Sequence, residues 1–284
     1  STVIAMVNPS NKTTTLLLVD VQNSFHPGGS LAIPTADEDA VRIATLIRSS
    51  SSSIDRIVAT MDSHHKLHIA HPSFWVSGDD MGKHPDPFSL ISTVDIISGK
   101  WKPRPDLVLP VGDPHVDPCI FHGYEATVTS DGSNFDLTKY CIEYTRRLEA
   151  KGRFQLCIWP EHCLIGSNGH NIVSDVRAAM DEWSDATGRS VEFVHKGQNL
   201  LTEMYSALAA EVPVSTSTSF NSTLFESLRQ SNTLLVCGQA MSHCVSYTLR
   251  DIVENWPTEE RDKIFLLTDC ASAVPGFEAA EIYL

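Results

Sequence analysis

Strand-like runs alternate with helix-like segments along this chain, and five of the runs stop on a residue that can do chemistry. These runs are Thr15–Asp20, Arg56–Asp62, Phe154–His162, Val191–Lys196 and Thr233–Cys244. In a parallel sheet the carboxyl ends of the strands lie along one edge, and ligands bind in the crevice there. Two acids, a histidine, a lysine and a cysteine should therefore converge on one pocket. This pattern indicates an enzyme.

The alternation predicts a three-layer α/β fold with a mostly parallel, six-stranded sheet and helices on both faces. We expect the sixth strand at Ile264–Thr268. Residues 75–135 lack a clear period, and we interpret them as an elaborated insertion with a strand or two inside a single domain that spans residues 1–284. The helices are expected at Asp37–Ser49, Asp136–Lys151, near Asn171–Thr187, at about Ser222–Arg229 and at Cys244–Asn255.

Composition and charge exclude several classes of function. The net charge of −14 over 284 residues argues against a nucleic-acid surface and gives no attraction to anionic membranes. No apolar run approaches the roughly 20 residues that span a bilayer, and the first residues do not resemble a secretory signal. Seven cysteines without CxxC spacing are typical of reduced thiols. We therefore expect a cytoplasmic protein that acts on a small molecule, and homo-oligomerisation is left open.

Cys244 is the candidate nucleophile because it follows a strand, a tight loop and a helix start. The N–H groups of a helix N-terminus lower the pKa of a thiol and can also hold a developing oxyanion. Lys196 would pair with Asp20 and keep this acid ionised, ready to accept the thiol proton. The alternatives are a buried packing cysteine, a solvated lysine and an aspartate that caps its loop. Cys163 is interpreted as a packing residue.

Asp62, His64 and His162 form a candidate metal site. In an extended chain Asp62 and His64 point the same way, and His162 ends another strand at the same predicted edge. One carboxylate with two imidazoles is a common ligand set for first-row transition metals. The alternative is a group of surface histidines in a loop, and the sequence does not decide whether His68 or His71 adds a fourth ligand.

Five motifs stand in order along the chain: VDVQNSF followed by GGSLAI, then MDSHH, WPEHCLIGSNG, HKG and CGQAMSHCV. They resemble the motifs of the isochorismatase-like cysteine hydrolases, and most of all those of the nicotinamidase branch. The resemblance implies that Asp20, Lys196 and Cys244 are a catalytic triad. It also implies that Asp62, His64 and His162 hold one divalent transition metal, with zinc expected and iron or manganese as alternatives.

The same resemblance implies the remaining parts of the site. A cis peptide at Gln239–Ala240 would turn the N–H of Ala240 to join that of Cys244 as an oxyanion hole. Phe25 and Trp159 would sandwich an aromatic amide ring, and Tyr205 would help to line the pocket. Two residues depart from the family pattern: Ser242 stands where many members have an acid, and Gln239 where an aliphatic residue is common. Both were expected at the pocket rim.

The expected reaction is hydrolysis of nicotinamide to nicotinate and ammonia through a thioester on Cys244, which would place the chain in pyridine nucleotide salvage. A related amidase for a carbamoyl, maleamate or ureido substrate is the alternative, although such an enzyme would not need a ring sandwich. Isochorismate hydrolysis is disfavoured because that chemistry does not use a nucleophilic cysteine. A catalytically silent binding protein with the same fold is the alternative from a different class.

Overall fold

The structure is a computed structural model that describes residues 13–107, 109, 112, 114–123, 127–132 and 134–278. The first residues, which bear on the prediction that no secretory signal is present, lie outside these ranges. Within them, no helix combines the length and the apolar character that a membrane crossing requires.

Nine strands and six α-helices are defined within the described ranges. The strands are β1 (Thr14–Val19), β2 (Arg56–Asp62), β3 (Trp75–Ser77), β4 (Leu90–Ile91), β5 (Trp101–Pro103), β6 (Leu156–Cys157), β7 (Glu192–Lys196), β8 (Thr233–Gln239) and β9 (Ile264–Ser272). The helices are α1 (Ala36–Ser49), α2 (Thr93–Ile97), α3 (Leu137–Lys151), α4 (Ser174–Thr187), α5 (Ser222–Arg229) and α6 (Ser246–Asn255).

A five-stranded parallel sheet in the order β7-β2-β1-β8-β9 forms the centre of the molecule. Its central strand β1 is apolar along most of its length because helices cover both faces of the sheet. Leu16 and Leu18 pack in the cluster formed with α1 and α4, whereas Leu17 and Val19 pack on the side of α3, α5 and α6. Successive side chains of a strand point to opposite faces, so one apolar run supplies both layers.

The predicted strand Phe154–His162 is wrong as a member of the central sheet. Only Leu156–Cys157 is extended, and it pairs antiparallel with β4. The next two residues also form backbone hydrogen bonds outside the central sheet. The Ile158 N–H donates to Ser89 O of the predicted insertion, and the Trp159 N–H donates to Ala70 O, which precedes it. The central sheet of the described residues therefore has five strands, not six.

The segment 75–135, which the sequence analysis interprets as an insertion, contains short secondary structure where it is described. Strands β3 and β5 form an antiparallel pair, and α2 begins with a capping box between Ser92 and Asp95. Trp75 and Phe121 are fully buried in the same hydrophobic cluster as Leu17 of β1. The insertion therefore packs on the central fold through shared apolar side chains.

Candidate active site

The carboxyl ends of three strands of the central sheet bring the predicted triad together. Asp20 follows β1, Lys196 ends β7, and Cys244 follows β8 after a short loop. The Lys196 Nζ atom lies 2.9 Å from Asp20 Oδ2 and 3.5 Å from Cys244 Sγ. All three side chains are buried. The structure thus places an acid, a cation and a thiol in mutual reach, as the sequence predicted.

The turn at Asp20 is held by Thr60 on the neighbouring strand β2. The Thr60 hydroxyl donates to Asp20 Oδ1 at 2.5 Å and accepts from the Asp20 N–H at 3.1 Å. Asp20 has a φ of 47°, in the left-handed region that Asp and Asn adopt more readily than most residues. This turn fixes the direction of the carboxylate at the sheet edge.

Burial and charge set the proton positions in the triad. Burial raises the pKa of Asp20 and outweighs the opposing effect of the Lys196 ammonium. Burial also raises the pKa of Cys244 well above its ordinary value, again against the lysine. For Lys196, burial lowers the pKa, but Asp20 and Asp62 together raise it well above its usual range. At neutral pH the cysteine is therefore a thiol beside a charged lysine.

The nucleophile loop has the geometry that the resemblance implies. The Gln239–Ala240 peptide bond is cis. Cys244 then lies in a π-helical turn, Met241–Val245, that continues directly into α6. The first N–H groups of a helix lack carbonyl partners within the helix. Cys244 therefore stands where backbone N–H groups can face a ligand.

The two departures from the family pattern have structural partners. The Gln239 side chain donates to Asp39 Oδ2 of α1 at 2.9 Å, and Ser242 Oγ accepts from the Val274 N–H at 3.1 Å. Neither residue is among those that line the cavity at Cys244. The expectation that they touch the pocket rim is therefore wrong, since both hold the loop to neighbouring elements.

A narrow cavity of about 20 Å³ opens beside Cys244. Its walls are largely apolar and aromatic, and they include all three residues expected to contact the substrate. The Trp159 indole N–H donates to Tyr205 Oη at 3.0 Å, which fixes both rings. The lining residues are Phe25, Leu31, Asp62, Trp159, His162, Glu203, Tyr205, Ala240, His243, Cys244 and Val274.

The predicted metal ligands meet at one side of this cavity. Asp62 Oδ2 lies 3.0 Å from His64 Nε2 and 3.2 Å from His162 Nε2. His71 joins them, because potential ligand atoms of His64, His71 and His162 all lie within 4.8 Å of one another. One carboxylate and three imidazoles fit a divalent transition metal.

The hydrogen bonds of these histidines leave the inner nitrogen of each ring available. A backbone carbonyl can only accept, so a ring nitrogen that contacts one carries the proton, and the other nitrogen of the neutral ring keeps its lone pair. The Nε2 atom of His71 is buried and has no hydrogen-bond partner among the described residues. The Nδ1 contacts are His64 to Gly197 O at 3.0 Å, His71 to Lys66 O at 3.1 Å and His162 to Pro160 O at 2.8 Å.

His68 does not share this arrangement. Its Nε2 atom lies 3.1 Å from Thr202 O, and its Nδ1 atom accepts from the Ala70 N–H at 3.2 Å. Both ring nitrogens of His68 are thus occupied by the fold. Of the two histidines that the sequence left open, these contacts favour His71 as a candidate ligand.

The charges of the cluster also favour a cation. Burial lowers the pKa of His71 to about 2, so this ring is neutral and can act as a ligand. Burial lowers the pKa of His64 as well, but the adjacent Asp62 carboxylate raises it more. Without a cation, protonated His64 therefore pairs with Asp62. A metal ion would displace that proton, as metal binding commonly does.

Four residues of the cavity were not predicted as site residues: the apolar Leu31 and Val274, and the polar Glu203 and His243. Glu203 is buried in an irregular segment after β7, and no periodic pattern marks it. His243 precedes Cys244, and its ring centroid lies 5.0 Å from that of Trp159. Adjacency to the nucleophile was the signal that could have identified His243.

No family model matches the chain. A curated nicotinamidase from Acinetobacter baylyi is 40% identical over 70 residues, which are 25% of this chain and 28% of that protein. The chain therefore matches little more than a quarter of the length of this relative.

Solved structures match nearly the whole chain. A nicotinamidase/pyrazinamidase from Acinetobacter baumanii is 19% identical over 96% of this chain and 91% of its own, with a TM-score of 0.55. A yeast nicotinamidase is 19% identical, with coverage of 95% and 93% and a TM-score of 0.56. A zinc complex of a Pyrococcus horikoshii pyrazinamidase is 18% identical, with coverage of 95% and 92% and a TM-score of 0.50. The chain has the fold of these nicotinamidase and pyrazinamidase structures.

Proposed function

We propose that this protein is a metal-containing cysteine amidohydrolase that converts nicotinamide and water to nicotinate and ammonia. The contact of Lys196 with both Asp20 and Cys244, in a cavity with aromatic walls, is the observation that carries the proposal. The shared fold with nicotinamidases supports it.

The first half of the proposed reaction forms a thioester. Asp20 accepts the proton of the Cys244 thiol, and the sulfur attacks the carboxamide carbon. The N–H groups of Ala240 and Cys244 would stabilise the oxyanion. The C–N bond then breaks, and ammonia leaves with the proton returned by Asp20.

The second half releases the acid. Asp20 is again ionised and takes a proton from a water molecule, which attacks the thioester carbonyl carbon. The C–S bond breaks, the proton held by Asp20 returns to the Cys244 sulfur, and nicotinic acid leaves and loses its carboxyl proton to solvent as nicotinate. Lys196 stays charged throughout, because its two carboxylate partners hold its pKa well above the usual range.

The metal would be held by Asp62, His64, His71 and His162, and zinc is the cation we propose. When bound, the cation would supply a Lewis-acid site for the pyridine nitrogen of the substrate and so orient the ring. Phe25 and Trp159 would enclose that ring, and Tyr205 would hold Trp159 in place. An aliphatic amide would leave these aromatic walls without a partner.

An ammonia-release assay on nicotinamide, pyrazinamide and small aliphatic amides tests the proposal. We expect turnover of the ring amides by the metal-loaded protein, and a loss of at least about 1,000-fold in Cys244→Ala. Cys141→Ala is the matched control, because Cys141 is also a buried free cysteine but lies on α3 away from the cavity. Wild-type turnover in Cys244→Ala would contradict the thioester mechanism. Activity on aliphatic amides alone would contradict the assignment of nicotinamide as the substrate.

A further inference from the structure

Glu203 is a buried acidic side chain of the cavity that the reaction above does not use. It is 2% exposed and lines the same cavity as His162 and Cys244. Its Oε1 atom accepts from the Met204 N–H at 2.9 Å. Its Oε2 atom is buried and has no hydrogen-bond partner in the part of the chain that the structure describes.

The backbone around Glu203 is held on both sides. The Glu203 N–H donates to Tyr144 Oη at 3.0 Å, which ties the residue to α3. The carbonyl of Met204 accepts from Lys196 Nζ at 3.1 Å. The bond from the Met204 N–H occupies one carboxylate oxygen and leaves the other for a partner. The position of Oε2 is therefore set by the fold.

The charges of the site indicate what that partner is. A buried carboxylate without a partner is costly, so it should be compensated in the working protein. Asp20, Asp62 and Glu203 carry three negative charges when ionised, whereas Lys196 carries one positive charge. A divalent cation among Asp62 and the three histidines would balance the remaining two negative charges.

The distances place Glu203 outside the set of direct ligands. Asp62 Oδ2 lies within 3.2 Å of a ring nitrogen of both His64 and His162, whereas among the described residues Glu203 forms no ion pair with His64, His71 or His162. An ionised carboxylate only accepts hydrogen bonds, whereas a water molecule bound to a cation donates them. A metal-bound water is thus the partner that both the distance and the chemistry allow.

We propose that Glu203 is a positioning residue of the metal site, whose Oε2 atom accepts a hydrogen bond from a water molecule on the cation. This inference rests on the metal site of the proposed function. Partners of this kind commonly contribute 10- to 100-fold to metal affinity.

The test uses Glu203→Gln, which keeps the shape and the acceptor for the Met204 N–H but replaces the Oε2 acceptor with an N–H₂ donor. Co²⁺ is titrated into the chelator-treated full chain, and its visible absorption gives the dissociation constant. We expect about 10- to 100-fold weaker binding in Glu203→Gln. Glu203→Met, of similar volume and without oxygens, should lose affinity in the same way.

Glu211→Gln is the matched control. Glu211 is also a buried glutamate, but it pairs with Arg153 at 3.4 Å and does not line the cavity. We expect its Co²⁺ affinity to equal that of the wild type, and the Tm of metal-free Glu203→Gln to stay at or above the wild-type value. Unchanged Co²⁺ affinity in Glu203→Gln would overturn the proposed role of Glu203 but not the metal site. Absence of Co²⁺ binding by the wild type would overturn the metal site itself.

Discussion

Lys196 is the residue on which the charge arrangement of the site depends. Its Nζ atom contacts Asp20 at 2.9 Å and Asp62 at 3.0 Å. The sequence analysis expected the first of these contacts but not the second. One buried ammonium thus joins the triad to the candidate metal site, and each of the two acids depends on it for its charge.

Lys196→Met should destabilise the protein strongly. The substitution keeps much of the side-chain volume but leaves two buried carboxylates without their cation, which costs about 3–5 kcal/mol. Urea unfolding of the metal-free protein at neutral pH measures the change. Lys66→Met is the control, since the Lys66 side chain is 68% exposed and lies 4.0 Å from Glu161. Equal unfolding free energies for the two variants would contradict this role of Lys196.

The pH dependence of the reaction should follow Asp20. As the proposed base, Asp20 must be ionised, so kcat/KM should fall as the pH drops through its pKa. Burial raises that pKa above the ordinary value of 3.8, whereas the hydroxyl of Thr60 lowers it. Thr60→Val removes this donor and should therefore move the acid limb of kcat/KM to higher pH.

Initial rates at saturating metal over a pH series measure this shift. Thr45→Val, on the exposed side of α1, is the control and should leave the limb in place. An acid limb that does not move in Thr60→Val would show that another group is the base.

At the level of elements, the sequence predicted a helix or a strand correctly where the interactions that form it are close in sequence. The helix predicted at Ser222–Arg229 has these bounds in the structure, because its apolar face and its Asn221 cap are close in sequence. The strand predicted at Phe154–His162 is absent from the central sheet, because its backbone partners are Ala70 and residues of the predicted insertion. Those partners are distant in sequence, and hydrophobic periodicity does not predict them.

The turn after β7 packs directly against two of the candidate metal ligands. Gly197 has a φ of +74°, and a Cβ atom there would lie 2.7 Å from Asp62 Oδ1 and 2.8 Å from His64 Cε1. Gly197→Ala should therefore displace both ligands and lower Co²⁺ affinity by at least about 10-fold. The titration described above measures this loss.

Gly188→Ala separates this effect from backbone strain. Gly188 has a similar φ of +69°, but a Cβ atom there would meet nothing within 4 Å. Both variants carry the strain of a left-handed alanine, of about 1 kcal/mol or more. Only Gly197→Ala should lose metal affinity, and equal losses would mean that contact with the ligands is not the cause.

At the scale of the whole molecule, the four candidate ligands come from segments that are separate in sequence. Asp62 and His64 belong to the end of β2, His71 to the following loop and His162 to the segment after β6. A cation that binds all of them in the folded state and not in the unfolded chain stabilises the fold by mass action. A cation bound at this candidate site would therefore cross-link distant parts of the chain.

Metal should accordingly raise the Tm. At a free cation concentration 100 times the dissociation constant, the expected gain in unfolding free energy is about 2.7 kcal/mol. His71→Ala should lose most of this gain, whereas His65→Ala, at an exposed neighbouring position, should keep it. Thermal melts with and without Zn²⁺ measure the difference. A full metal-induced rise in His71→Ala would exclude this residue as a ligand.

The sequence by itself determined the parallel α/β class and the convergence of Asp20, Lys196 and Cys244, because strand ends follow from local hydrophobic runs and share one edge of a parallel sheet. The choice of His71 over His68, the second carboxylate at Lys196 and the entry of Glu203 into the cavity were decided only by the tertiary structure. Each depends on where distant backbone segments place single donors and acceptors. Local sequence patterns do not predict those distances.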